Sequence, residues 1–344
     1  MIAAQSGPIR VTSCHDLEPG WPWIADLYRG EPEIEWRSIS TRRSRLLARL
    51  PGPHLGRIRA ALEVSRILGR GQTDLLVSHG PYTSYYVEAL GRRGRQDVPH
   101  LVFAFNFTDI PEGYRLEAMR RAFMHTERFT VYSHMERELY AETFGVPIDR
   151  FIFSRWGVGS PLPTPGPRTI AGPYVAAIGG EARDYAALCE AASRLPRVLF
   201  VLAVRPHSLD GLNVPENVEV HINLPWRDAW SLVWHAEAAL VPLRSSRTPN
   251  GHVTIVGGMH LGKAQVITDS AGIRDYVENE RTALLVPARD PVAFARAIER
   301  LLEEPPLRER LGRAAQSFAA EHCNEEVTVE TFRSQLIDLT SRNR

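Results

Sequence analysis

The chain has 344 residues and a mass of 38.6 kDa, enough for two domains of ordinary size with a core each. Apolar residues make up 44% and charged residues 24%, a globular balance that excludes a fibrous or mostly disordered chain. The 41 basic residues against 40 acidic ones leave a formal charge of +1, so no global field draws the chain to nucleic acid. Cys14, Cys189 and Cys323 lie far apart and form no CxxC pair, which argues against zinc or a disulfide framework and fits a reducing cytoplasm. The opening MIAAQSGPIRVTSC has no charged region followed by an apolar core, and no long apolar run occurs anywhere. A cytoplasmic protein, neither exported by a signal peptide nor spanning a membrane, is expected. Lys263 is the only lysine, a bias that points to a GC-rich bacterial coding sequence.

In chain order, short apolar, β-branched runs alternate with helical patterns: Ile9–Cys14, Asp74–Ser78, Leu101–Phe105, Phe129–Ser133 and Phe151–Arg155. The pattern predicts an α/β fold with a parallel, doubly wound sheet. Between the first two runs, Thr41–Gly71 carries eight arginines (Arg42, Arg43, Arg45, Arg49, Arg57, Arg59, Arg66, Arg70) against Glu63, a local charge of +7. Leu55, Ile58, Leu62 and Leu68 recur at helical spacing while Arg59, Arg66 and Arg70 share another face. A basic amphipathic helix is predicted, either merely solvated or docking on anionic lipid headgroups or a lipid-linked acceptor. No aromatic residue interleaves these arginines, which counts against nucleic-acid stacking.

At Gly157 the texture changes: GVGSPLPTPGPRTIAGP holds five prolines and four glycines and reads as an interdomain linker. The alternation then restarts with Tyr174–Ile178, Val198–Val204, Val218–Ile222, Ala238–Pro242, Gln265–Thr268 and Ala283–Val286, a second Rossmann-like domain. Asp290-Pro291 caps a helix through VAFARAIERLL, and Leu307–Ala320 and Glu325–Leu339 continue in helical pattern.

Chemistry is concentrated from Ala238 to Pro291. A strand ends at Pro242, a polar loop follows, and Asn250-Gly251 opens a helical stretch, Val253–Leu261. Its first-turn amides at Gly251, His252 and Val253, with the Thr254 hydroxyl, could hold two phosphates, and Gly251 lets the backbone come close; an ordinary strand–loop–helix crossover is the plainer alternative. No GxxxxGK[ST], HExxH, GxSxG or strand-following GxGxxG is present, and the histidines show no metal-ligand spacing.

The order NGHVTIVGGMHLGKAQVITDSAGIRDYVENERTALLVPARDP resembles the donor-binding half of the retaining glycosyltransferases of family 4, which have the GT-B fold of two Rossmann-like domains facing across a cleft. FTVYSHMERELYAETFGVPIDRFIFSRWGVGSP is similar to the end of that family's N-terminal domain, and YVAAIGGEARDYAALCEAASRLP to the opening of its C-terminal domain. The resemblance implies an acceptor-binding domain over 1–160, a linker over 161–173, a nucleotide-sugar-binding domain over 174–322 and a C-terminal helix over 323–344 that recrosses to the N-terminal domain. It implies a nucleotide-sugar donor as substrate with no cofactor and no metal, a saccharide or lipid-linked saccharide acceptor, and transfer with retention. Fixed positive charge and a helix dipole would stabilise the leaving diphosphate.

Arg183 is the candidate clamp, beside Gly179 and Gly180, with Arg205 or Arg247 assisting; a surface arginine is its plain alternative. Two family glutamates, spaced eight apart, fall on Pro249 or Asn250 and on Gly257 here. Asn250 could keep the hydrogen bonds to the donor sugar, whereas Gly257 has no side chain for the ribose. Past the strand ends of the first half lie His15, Asp16, His79, Asn106 and Asp109; of these His15, His79, Asn106 and Asp109 are the acceptor-binding candidates, against the alternative of loop residues and caps. Tyr82, Tyr85, Tyr86, Phe105 and Phe107 could stack on sugars or fill a core, and Trp21 and Trp23 stand where the family has a glycine-rich loop. The expected activity is a retaining, metal-independent hexosyltransferase. Its rivals are a catalytically inactive GT-B protein that binds a nucleotide or protein partner and, third, a nucleotide-sugar isomerase.

Overall fold

A computed structural model describes residues 7–17, 24–42, 54–94, 97–180, 182–246 and 249–341. Trp21, Trp23, Arg247 and residues 43–53 of the basic stretch lie outside the described residues. The chain divides into two compact units: residues through Ser154 together with those from Thr328 onward, and Arg155–Val327.

The first unit holds six parallel strands, β1 (Ile9–His15), β2 (Ile34–Ser40), β3 (Leu75–His79), β4 (His100–Phe103), β5 (Arg128–Val131) and β6 (Phe151–Phe153), in the order β2-β1-β3-β4-β5-β6. Strand order reverses between β1 and β3, the place where open α/β sheets receive ligands beyond the carboxyl ends. Strand β2, IEWRSIS, is an edge strand that sequence patterning did not pick out, because only one neighbour and a half-buried face constrain it.

Among the described residues before Ser154 the α-helices are α1 (Ile24–Leu27), α2 (His54–Leu68), α3 (Pro81–Tyr86), α4 (Gly113–Phe123) and α5 (His134–Phe144), and α2 corrects the predicted amphipathic division. Its buried side is Gly56, Ala60, Ala61, Val64, Ile67 and Leu68, while Leu55 and Leu62 are 43% and 45% exposed and share the outer face with the arginines. Small residues face inward because α2 lies close to the π-helical turn Val87–Gly91; a Cβ at Gly91 would stand 3.1 Å from the Ala61 carbonyl oxygen. Phe105 and Phe107 are core residues, in ring contact with Tyr140 and Phe144. The last helix of the chain runs Glu325–Ser341, and its Phe332, Leu336 and Leu339 bury themselves among Ile9, Val11 and Tyr28 of this unit.

The second unit repeats the plan with β7 (Tyr174–Ile178), β8 (Leu199–Val204), β9 (Val218–Ile222), β10 (Ala238–Val241), β11 (Gln265–Thr268) and β12 (Leu284–Val286). All are parallel, in the order β12-β11-β10-β7-β8-β9, which is the 3-2-1-4-5-6 arrangement of a Rossmann sheet with its switch point between β7 and β10. The proline-rich stretch forms no helix or strand and packs on this unit through buried Leu162 and Ile170. Three helices matter below: α6 (Tyr185–Arg194), α7 (Trp226–His235) and α8 (His252–His260).

Candidate functional site

The second unit builds a polar cradle at its switch point. After β7 the chain turns at Gly179, whose φ of +111° suits glycine, and Tyr185 donates its hydroxyl to the Gly179 carbonyl to fix the turn. The next residues cross the exit of β10: Asp184 N–H donates to the Pro242 carbonyl at 3.0 Å and Arg244 N–H to the Ala182 carbonyl at 3.1 Å. This lashing carries Arg183 to the first turn of α8, where its Nη2 donates to Thr254 Oγ1 at 2.7 Å. Helix α8 has Gly251 at its N-cap, φ +97°, a residue with no side chain to cap it, and its positive end and the Arg183 guanidinium share one place.

A cavity of about 390 Å³ adjoins this point, lined by Gly179, Gly180, Arg205, Asn223, Trp226 and Thr254 among others. Of the candidates, Arg183, Gly179, Gly180, Arg205, Gly251 and Thr254 thus come together around one switch point and one cavity. Val253 stands in the same first turn of α8, and Asn250 is buried just before it. Arg205 is placed differently from a phosphate clamp: its Nη1 donates to Asn223 Oδ1 at 3.4 Å, and Gly180 has no Cβ because one would stand 2.3 Å from the Arg205 Cγ. His252 is turned away from side-chain duty. It is 5% exposed, its Nε2 donates to the Gly272 carbonyl at 2.9 Å, and burial lowers its pKa to about 4, so the ring is neutral and structural; only its amide belongs to the cradle.

In the first unit a second group gathers at the β1/β3 switch point. Asp16 pairs with His79 at 3.3 Å and with Arg57 at 3.2 Å; burial would raise its carboxyl, but these partners outweigh it and hold it at about 2. His15, beside them, meets Ser38 Oγ at 3.1 Å, and burial and then the His79 charge lower its pKa. Arg57 also lies over the Tyr82 ring at 5.5 Å. Buried Ser78 anchors the exit of β3 by meeting His100 Nε2 at 2.7 Å and Ser84 Oγ at 2.6 Å.

Asn106 and Asp109 are not members of this cluster. Asn106 Nδ2 donates at 2.6 Å to Glu136, a fully buried carboxyl that also accepts from Tyr132 N–H, Ser133 Oγ and Tyr140 OH. Burial, against these donors, pushes Glu136 up to about 7. Asp109 is exposed.

Residues 11–154 match the family model for the glycosyl transferase 4-like domain, and residues 207–318 the model for glycosyl transferases group 1. The chain carries the two domains of a GT-B glycosyltransferase. Sucrose-phosphate synthase from Thermosynechococcus elongatus superposes with a TM-score of 0.72 at 16% identity, covering 96% of this chain and 89% of that one. Anabaena Alr3699/HepE, solved in complex with UDP-glucose, gives 0.70 at 13% identity over 96% of this chain and all of the other, 100%. A glycosyltransferase from Rickettsia africae gives 0.68 at 13% identity over 96% and 98%. At such identities the likeness is one of fold. No curated protein matches the chain in sequence.

Within this GT-B glycosyltransferase, Gly257 has a steric reason to lack a side chain. A Cβ there would stand 2.1 Å from the Trp230 ring, which is fully buried and packs edge-to-face against Trp226, centroids 5.4 Å apart at 72°. An acid at 257 and an indole at 230 exclude each other. Trp226 and Asn223, both on the cavity wall, carry no sequence motif; the only signal is a tryptophan at the first position of an amphipathic helix just past a strand end. Among the described residues no group of three or more His, Cys, Asp or Glu could hold a metal ion.

Proposed function

We propose that the chain is a retaining, metal-independent hexosyltransferase that moves a sugar from a nucleoside diphosphate to a saccharide or lipid-linked saccharide. The observation that carries this reading is the Arg183–Thr254 contact at the start of α8, where Gly251 is the N-cap, beside a cavity of about 390 Å³. The Anabaena relative of the same fold, solved with UDP-glucose, supports it. The diphosphate sits on the amides of Gly251, His252 and Val253 and on Thr254 and Arg183, and Gly179 and Gly180 let it approach the backbone. As the bond from the anomeric carbon to the diphosphate oxygen breaks, the acceptor oxygen bonds to the same face and its proton passes to the departing phosphate oxygen. Positive charge on Arg183 and the helix dipole balance the charge that develops there, and Asn250 hydrogen-bonds the donor sugar. His15, His79, Asn106 and Asp109 bind the acceptor, with Asp16 and Arg57 orienting His79.

The absence of an acidic side chain at Pro249, Asn250 and Gly257 favours a second reading, a GT-B protein that binds nucleotide without catalysis. Isothermal titration with UDP, GDP and ADP and their sugars tests both: no binding at all overturns either, and donor hydrolysis or transfer by the purified chain selects the enzyme.

The protein works in the cytoplasm, with peripheral membrane contact through the Thr41–Gly71 region. Among the described residues no helix is long and apolar enough to cross a membrane. On α2, Leu55, Leu62, Arg59 and Arg66 share the exposed face, with Arg70 just beyond, the pairing of apolar and cationic groups that suits an anionic lipid surface. The quadruple variant Leu55→Asp/Leu62→Asp/Arg66→Glu/Arg70→Glu should sediment with phosphatidylglycerol vesicles at least about tenfold less than the wild type. Equal sedimentation removes the membrane contact.

A further inference from the structure

We propose that His100 is a buried imidazolium and that the hydrogen on its Nε2 is handed along Ser78 and Ser84 to the Gly80 carbonyl, so that a charge in the core of the first unit positions the turn carrying His79. The consequence for an acceptor rests on His79 being one of its ligands; the protonation of His100 does not.

The hydrogens in this chain of contacts can be counted. His100 Nε2 meets Ser78 Oγ at 2.7 Å, Ser78 Oγ meets Ser84 Oγ at 2.6 Å, and Ser84 Oγ donates to the Gly80 carbonyl at 2.6 Å. Three contacts this short need a hydrogen each, because one hydrogen divided between two acceptors makes longer bonds. The two hydroxyls supply two, and the carbonyl has none, so the third sits on Nε2. At the other side of the ring, Nδ1 faces Glu88 Oε1 at 2.6 Å, an oxygen that also accepts from Arg92 at 2.8 Å and from Thr126 Oγ1 at 2.6 Å. That oxygen belongs to a carboxylate: burial would raise Glu88, but the bond and charge of His100, with Arg92 and Thr126, outweigh it and hold the group at about 2. Nδ1 therefore donates as well.

Charge gives the same answer independently. Arg92 bridges two carboxylates, Glu88 and, at 3.0 Å, Glu127. One guanidinium against two carboxylates leaves a negative charge unmatched where Glu88, Arg92 and His100 are all buried. A positive His100 matches it, and the His100 backbone N–H donates to Glu127 at 2.7 Å. Among the described residues no other charged side chain bonds to this group, and α2, which packs on the turn Val87–Gly91, brings Ala61 and Val64 there.

The far end of the chain is the turn between β3 and α3. Gly80, φ +74°, follows His79 directly; its N–H donates to the Phe103 carbonyl at 2.9 Å, and its carbonyl accepts from Ser84 N–H at 3.1 Å as well as from the hydroxyl. Loss of the Nε2 hydrogen would set two acceptors against each other, and the mildest relief is for the Ser84 hydroxyl to turn away from Gly80. His100 is thus a positioning residue for His79.

Isotopic labelling of the histidine nitrogens in the full chain, read by long-range proton–nitrogen correlation, tests this. The His100 ring is assigned by nuclear Overhauser contacts to Ser78, and thermal melts confirm that Ser84→Ala folds. At about pH 7.5 the wild-type His100 ring should carry a hydrogen on both nitrogens. Ser84→Ala frees the Ser78 hydroxyl to donate to Nε2, so a neutral ring is then satisfied. The variant should release the Nε2 hydrogen at a hydrogen-ion activity at least about tenfold higher than wild type. Its His79 resonances should move, while those of His235 in the second unit stay. Either ring nitrogen bare in wild type at that pH overturns the inference, as does a Ser84→Ala ring that titrates together with wild type or a His79 that Ser84→Ala leaves unchanged. A chain that meets all these expectations and transfers no sugar would mean that the glycosyl-transfer reading has failed and the relay stands.

Discussion

Replacing Arg183 by alanine is expected to lower sugar transfer by about two to three orders of magnitude, most of it in kcat, with little change in melting temperature. The argument begins with its position. Arg183 belongs to no helix; backbone hydrogen bonds from Asp184 and Arg244 lash its loop to the exit of β10, so the guanidinium is delivered to Thr254 with little freedom left to lose. Charge held in advance at a leaving group acts mainly where charge develops, so its removal costs more in the transition state than in ground-state binding. Arg183→Lys should recover only part of the loss, since an ammonium keeps the charge and forfeits the planar fork that can bond Thr254 and a phosphate oxygen together. Stability should hold because the side chain is only half-buried and its partner Thr254 is a hydroxyl at a helix end that water can satisfy. Steady-state kinetics of transfer or donor hydrolysis decide the matter, and a variant within about threefold of wild type in kcat/KM would mean that Arg183 is not the clamp.

The parts of this molecule that were legible in its sequence are those that local periodicity encodes. Runs such as Val198–Val204 are buried on both faces and must be continuous and β-branched, so they announce a parallel strand without any neighbour in view. Gly251 and Thr254 were legible for a similar reason, since a glycine opening a helix after a strand end is a local backbone event. What escaped depends on contacts distant in sequence. The outer face of α2 was assigned to the wrong residues because leucine outranks alanine in hydrophobicity, whereas the close approach of α2 to Gly91, at the Ala61 carbonyl and Val64, leaves Ala60, Ala61 and Val64 on the buried side. The partner of Asn106 was not legible either: Glu136, on a different element, accepts from its amide. Arg57 was one arginine among eight until the fold brought it to Asp16. Trp230 carries no signal of its own in the sequence, and its consequence for position 257 and for the orientation of Trp226 exists only in three dimensions.

That three-residue arrangement leads to the second large effect. Gly257→Ala should destabilise the second unit by about 1–3 kcal/mol, since its new methyl would have to displace a fully buried indole rather than fill a void. Trp230→Ala should cost about 3–5 kcal/mol through the cavity it leaves among Ala176, Ile178 and Val201. The two together should cost less than their sum by at least about 1 kcal/mol, because the methyl at 257 then occupies space the ring has vacated. Denaturant unfolding of the four proteins, followed by tryptophan emission, measures the coupling, and strict additivity would show that the clash is relieved by movement elsewhere.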